Sequence, residues 1–135
     1  MIMKTIFRLL VGALGLVALF GGVLSIATGL GGFAAAMGQP FASPSEAGFV
    51  VADSEFRYFA GVWFGVGLAL LYSLGNPFQR ATLLRAALIA VFIGGLGRVI
   101  AISQLGMPSI VLGPTVVELV LPPLLWVIHQ KAYLK

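Results

Sequence analysis

Four apolar runs divide the chain. The first, Leu9 to Leu30, carries no charge over 22 residues. As a helix it is long enough to cross a bilayer core of about 30 Å. The other runs are Phe56 to Leu74, Thr82 to Gln104 and Ser109 to Ile128. The pattern predicts helices over 6–30, 55–74, 82–104 and 109–130. Small residues recur along three of them in steps of three and four. They are Gly15, Ala18, Gly22, Ser25 and Gly29 in the first run, Gly61, Gly65, Ala69 and Ser73 in the second, and Ala87, Ala90, Gly94, Gly97 and Ala101 in the third. Such spacing collects small residues on one helix face, where another backbone can come close. Gly15, Gly22, Gly61, Gly65, Gly94 and Gly97 are therefore the candidate packing positions. The plainer reading is that glycine is simply frequent in membrane helices.

The breaks between the runs have their own signals. Residues 31–54 form the longest connection, expected as an outer loop. Within it, Ser43-Pro44-Ser45-Glu46 has the form of a capping box and predicts a short interfacial helix near Pro44 to Val50. Asp53 or Ser54 is expected to cap the second helix, with Glu55 in its first turn. Gly75-Asn76-Pro77 ends that helix. Gly106-Met107-Pro108 makes a tight turn, so helices three and four should be antiparallel neighbours. Pro122 and Pro123 remove the N–H groups that would meet the carbonyls of Glu118 and Leu119, leaving a polar spot in an apolar run.

Composition fixes the class. Of 135 residues, 60% are hydrophobic and only 9% charged, where soluble domains carry about a quarter. The expectation is a single all-α domain over 1–135, an integral membrane four-helix bundle. The formal charge of +4 does not point to nucleic acid, because the cations form no patch. With four crossings, Lys4, Arg8, Arg80, Arg85, Lys131 and Lys135 fall on one side and Glu46, Asp53 and Glu55 on the other. This is the positive-inside pattern with both termini cytoplasmic. The first run exceeds the roughly 7–15 apolar residues of a signal peptide, so a retained helix is expected, the alternative being three crossings with the first run removed as a signal. There is no cysteine, and His129 is the single histidine. Disulfides and thiolate sites are excluded, and no metal or cofactor is expected.

Two charges lie deep in the runs: Arg98, in Gly94-Gly95-Leu96-Gly97-Arg98, and Glu118. Helical rise puts Arg98 about 9 Å from the outer end of its run and Glu118 about 13 Å from its own. Unpaired charges at such depth cost several kcal/mol, so each should face a partner or a watery cavity. Arg57 can reach the same layer, with Asp53 and Glu55 just above it. Asp53, Glu55, Arg57, Arg98 and Glu118 thus make a candidate polar cluster in the outer half. One reading is an ion pair that fixes helix register. A second is a pocket for the polar head of a lipophilic molecule such as a quinone, isoprenoid or lipid. A third is an enzyme with Glu118 as acid/base, and a fourth is movement of protons or ions through the cluster. No second deep carboxylate supports the third, and Ser25, Ser73, Ser103 and Thr115 have no histidine beside them. No catalytic residue is assigned.

Asp53-Ser54-Glu55-Phe56-Arg57-Tyr58-Phe59-Ala60-Gly61-Val62-Trp63, then Gly94 to Arg98, then Glu118-Leu119-Val120-Leu121-Pro122-Pro123, together resemble the domain-of-unknown-function 4345 family. The likeness covers essentially the whole chain, and more loosely the layout resembles the DoxX-like group. The resemblance implies a small bacterial protein with four membrane helices and characteristic polar positions at Asp53, Glu55, Arg57, Arg98 and Glu118. It implies no activity. The expected setting is the bacterial inner membrane. The expected partners are the lipid bilayer and either other membrane subunits or further copies of the chain. A lipophilic small molecule is the alternative.

Overall fold

The computed structural model describes residues 2–38, 47–106 and 109–133. Its regular structure is entirely helical among these residues: α1 (Ile2–Ala36), α2 (Ala47–Ser73), α3 (Ala81–Leu105) and α4 (Ser109–Tyr133). The fold class is all-α, as the sequence predicts. Each helix is long and apolar enough to cross a membrane, so the chain is a multi-pass membrane protein. Large apolar side chains such as Val17, Phe20, Leu24, Phe59, Ile93 and Val120 are exposed along the helices. A surface of that kind would be untenable in water but suits lipid tails.

The helix ends differ from expectation around the first connection. α1 runs on to Ala36 and α2 begins at Ala47. Pro44 to Glu46, the start of the expected interfacial helix, lie outside the described residues, and Gly48 to Val50 belong to the first turn of α2. No proline or glycine separates Val50 from Phe56, so the helix continues through this stretch. Asp53, Ser54 and Glu55 are consequently inside α2 and do not cap it.

The chain forms two compact units, Met1–Gly15 with Ala69–Lys135, and Leu16–Leu68. In the first, α3 and α4 pack along each other. Contacts climb α4 as they descend α3: Arg98 meets Glu118 and Arg85 meets Trp126. The pair is therefore antiparallel. The buried positions of α3 are Leu84, Ala87, Leu88, Val91 and Gly95, and those of α4 are Thr115, Glu118, Pro122, Leu125 and His129. The α4 set alternates steps of three and four, which is the seam spacing of paired helices. The start of α1 joins this unit through buried Phe7, Val11 and Leu14. A Cβ on Gly15 would lie 2.9 Å from Leu71 side-chain atoms, so the glycine permits that approach.

The second unit pairs the later part of α1 with most of α2. A Cβ on Gly22 would stand 2.7 Å from the Phe64 nitrogen and 2.9 Å from the Ala60 carbonyl. Backbones this close exclude any larger residue. They also supply the dispersion contacts on which helix pairing in lipid depends.

Candidate functional site

The second unit contains a broken helix. Gly29 of α1 has φ 65° and ψ −173°, a combination open essentially to glycine alone. The break creates orphan groups at both cut ends. The carbonyls of Ile26 and Ala27 close one segment, and the N–H of Leu30 opens the next. In a bilayer core such groups must find partners within the protein. α2 supplies both. The Leu30 N–H donates to Asp53 Oδ1 at 2.6 Å. Arg57 Nη1 donates to the Ile26 carbonyl at 2.5 Å and lies 3.5 Å from that of Ala27. Arg57 Nε then closes on Asp53 Oδ2 at 2.7 Å.

The i, i+4 spacing puts Asp53 and Arg57 on one face of α2. Their signs match the ends they meet, carboxylate to helix start and guanidinium to helix end. A Cβ at position 29 would collide with both groups, so glycine is required twice over. Beyond the break, the Phe33 and Phe56 rings pack with centroids 5.2 Å apart.

The first unit holds the second ion pair. Arg98 Nε donates to Glu118 Oε2 at 2.7 Å, linking α3 to α4. Glu118 is buried, whereas the Arg98 side chain keeps 41% exposure. Gly95, one turn before Arg98, makes room for this contact. A Cβ there would sit 3.0 Å from Glu118 Cβ and Leu119 Cδ2. Pro122, one turn after Glu118, is buried on the same face.

The basic residues at the other end of this unit also meet backbone. α2 ends without a basic residue in its last turn. Arg8 donates to the Leu74 carbonyl at 2.8 Å, and Arg80 donates to that of Tyr72 while its guanidinium stacks 3.7 Å over the Tyr72 ring. Both serve as carbonyl caps where the helix dipole is negative. His129 is buried, with Nε2 2.8 Å from the Pro77 carbonyl, so that nitrogen carries the proton. Phe7 and Tyr133 pack on the imidazole, with centroids 5.6 Å away.

Four of the five candidate polar residues are thus joined as two pairs, one in each unit, and Glu55 is exposed and in neither. Asp53 is placed differently from the sequence expectation: it caps a segment of α1, not its own helix. The packing positions also divide. Gly15 and Gly22 lie at close contacts, but a Cβ on Gly61, Gly65, Gly94 or Gly97 would meet nothing within 4 Å among the described residues. On α3 the packing glycine is Gly95. A cavity of about 300 Å³ between α3 and α4 is lined by Leu88, Phe92, Pro122, Trp126 and neighbouring apolar residues. None of the ion-paired residues lines it.

Sequence reasoning missed the break at Gly29, the role of Gly95 and the carbonyl contacts of Arg8, Arg80 and His129. The glycine cluster Gly29, Gly31, Gly32 was the available signal for the first.

No curated protein and no solved structure matches the chain. The looser likeness to the DoxX-like group gains no support from these comparisons. Residues 6–129 match the family described as domain of unknown function DUF4345. With nearly the whole chain matched, the protein belongs to that family.

Proposed function

We propose that the protein is a small non-enzymatic subunit of the bacterial inner membrane that acts by helix association, with further copies of itself or with another membrane protein. The observation that carries this reading is the open glycine face of α2. Gly61 and Gly65 form a G-x-x-x-G pair, and a Cβ at either meets no neighbour within 4 Å among the described residues. Gly94 and Gly97 of α3 are equally open. A mid-helix glycine costs about 0.5–1 kcal/mol relative to alanine. Lipid tails give no return for it, whereas a docked helix backbone does.

The ion pairs then act within the chain. Asp53–Arg57 holds the break in α1, and Arg98–Glu118 fixes the register of α3 against α4. A buried ion pair adds little stability but specifies one arrangement. The cation distribution supports cytoplasmic termini, with Arg8, Arg80 and Arg85 on the inner side and the Gly29 break in the outer half.

The absence of cysteine gives a direct test. A single Gly65→Cys or Gly97→Cys variant can form a disulfide only with another molecule. Oxidation in native membranes is expected to yield a cross-linked species at these positions and not at Val120→Cys, a lipid-exposed site on α4. Equal yields at all three positions, or none, would remove the association reading.

A further inference from the structure

We propose that the cavity between α3 and α4 holds an acyl chain of an anionic phospholipid whose phosphate is met by Arg85. Leu88, Ile89 and Phe92 of α3 and Pro122, Pro123, Trp126 and Val127 of α4 line a space of about 300 Å³, and its wall is almost wholly apolar. That volume and lining suit hydrocarbon and offer nothing to a polar solute.

Arg85 lies one helical turn before Leu88 and Ile89, at one end of this lining. Its guanidinium is 5.0 Å from the Trp126 ring centroid. Its Nε is buried and has no hydrogen-bond partner among the described residues. A buried guanidinium N–H left unmet is costly, and neither ion pair involves Arg85. Among the described residues no acceptor meets this guanidinium, and Arg85 as a whole is only half-buried, so its outer nitrogens are open to an acceptor from outside the chain. A phosphodiester fits by charge and by the fork geometry of arginine.

The prolines shape the other end of the space. Pro122 is buried on the α4 seam, and Pro123 beside it is exposed. Neither can donate the usual helix hydrogen bond. The wall at this end is formed by the pyrrolidine rings and the neighbouring apolar side chains.

The positive-inside reading places Arg85 at the cytoplasmic surface, where anionic headgroups concentrate and a cation between helices attracts them. A phospholipid lying along the α3–α4 groove would set its phosphate at Arg85 and run its chain past Trp126 towards Phe92. Trp126 would then separate headgroup from tail, the position tryptophan favours in bilayers. The inference does not depend on helix association, since it concerns a site within one chain.

The two tryptophans of the chain, Trp63 and Trp126, make the site readable. In a Trp63→Phe background, Trp126 is the sole emitter. The protein is reconstituted in vesicles containing phosphatidylglycerol or phosphatidylcholine, with one of the two brominated on its acyl chains. Brominated phosphatidylglycerol at low mole fraction is expected to quench Trp126 as if enriched about fivefold over bulk, the size of effect expected for one arginine near the surface. Arg85→Gln should bring the quenching back to bulk composition, and Arg85→Lys should retain part of the preference. Ile89→Trp is unsuitable in this assay, so Ile89→Phe is used to fill the groove; it should reduce quenching by both lipids. Quenching that follows bulk composition in the unaltered site, or a preference that survives Arg85→Gln, would overturn the proposal. Because the readout comes from the folded protein's own fluorescence, a variant that fails to fold is recognised by its red-shifted emission and replaced by Arg85→Lys.

Discussion

Asp53 and Arg57, one turn apart on α2, meet opposite sides of the same break in α1. The carboxylate accepts from the Leu30 N–H, and the guanidinium donates to the Ile26 carbonyl. The two residues replace hydrogen bonds that a continuous helix would make for itself. They also neutralise each other, so the repair adds no net charge to an apolar layer.

This arrangement makes Gly29 sensitive to substitution. Gly29→Ala should destabilise the protein by at least about 1–3 kcal/mol from backbone strain, with more from the collision with Arg57 and Asp53. Gly48→Ala, at a helical position with open space, should be neutral or stabilising by up to about 0.5–1 kcal/mol. Unfolding in mixed micelles, compared for the two variants, provides the check. Equal tolerance at both positions would mean that the break is dispensable.

Asp53 and Arg57 should behave as one unit. Asp53→Ala leaves a guanidinium and an N–H unmet, and Arg57→Ala leaves a carboxylate and carbonyls unmet. The double substitution should therefore cost clearly less than the sum of the single ones. Additive losses in a thermal-unfolding cycle would show that the pair is not coupled.

Arg98 and Glu118 invite a charge exchange. Arg98→Ala should cost about 1–3 kcal/mol, below the range for a fully buried pair because Arg98 remains 41% exposed. Arg98→Glu should lose more, and adding Glu118→Arg should recover part of the loss. Detergent-unfolding midpoints measure both steps. No recovery in the exchanged protein would argue against register-setting by this pair.

His129 ties the end of α4 to the turn after α2 through the Pro77 carbonyl. His129→Leu preserves bulk but removes the donor. Faster amide exchange is expected at Leu74, Gly75 and Arg80, whose N–H groups bond within this turn region, with little change in the Leu16–Leu68 unit. Uniform acceleration throughout the chain would instead indicate global loosening.

The parts legible in the sequence were those set by long-range composition. Four long apolar runs and a one-sided cation distribution specify membrane helices because the bilayer imposes length and charge rules. The Arg98–Glu118 contact was legible because these are the only charges deep in their runs. Facing was less so. On α3 the small-residue set Ala87, Ala90, Gly94, Gly97, Ala101 and the set Leu84, Leu88, Val91, Gly95, Arg98 have the same kind of spacing and occupy adjoining faces. Periodicity alone does not say which turns inward, and it is the second that meets α4. The Gly29 break was hidden for a different reason. Its conformation is stabilised by side chains more than twenty positions away, and α2 begins before the charges that seemed to mark its start.

The central claim is that the open faces at Gly61, Gly65, Gly94 and Gly97 dock other helices. The most direct measurement is the mass of the particle released from native membranes with its lipid, without detergent. The account predicts more than one protein chain per particle, and release of single chains when Gly61 and Gly65 are both changed to leucine. A single chain per particle before any substitution would contradict it.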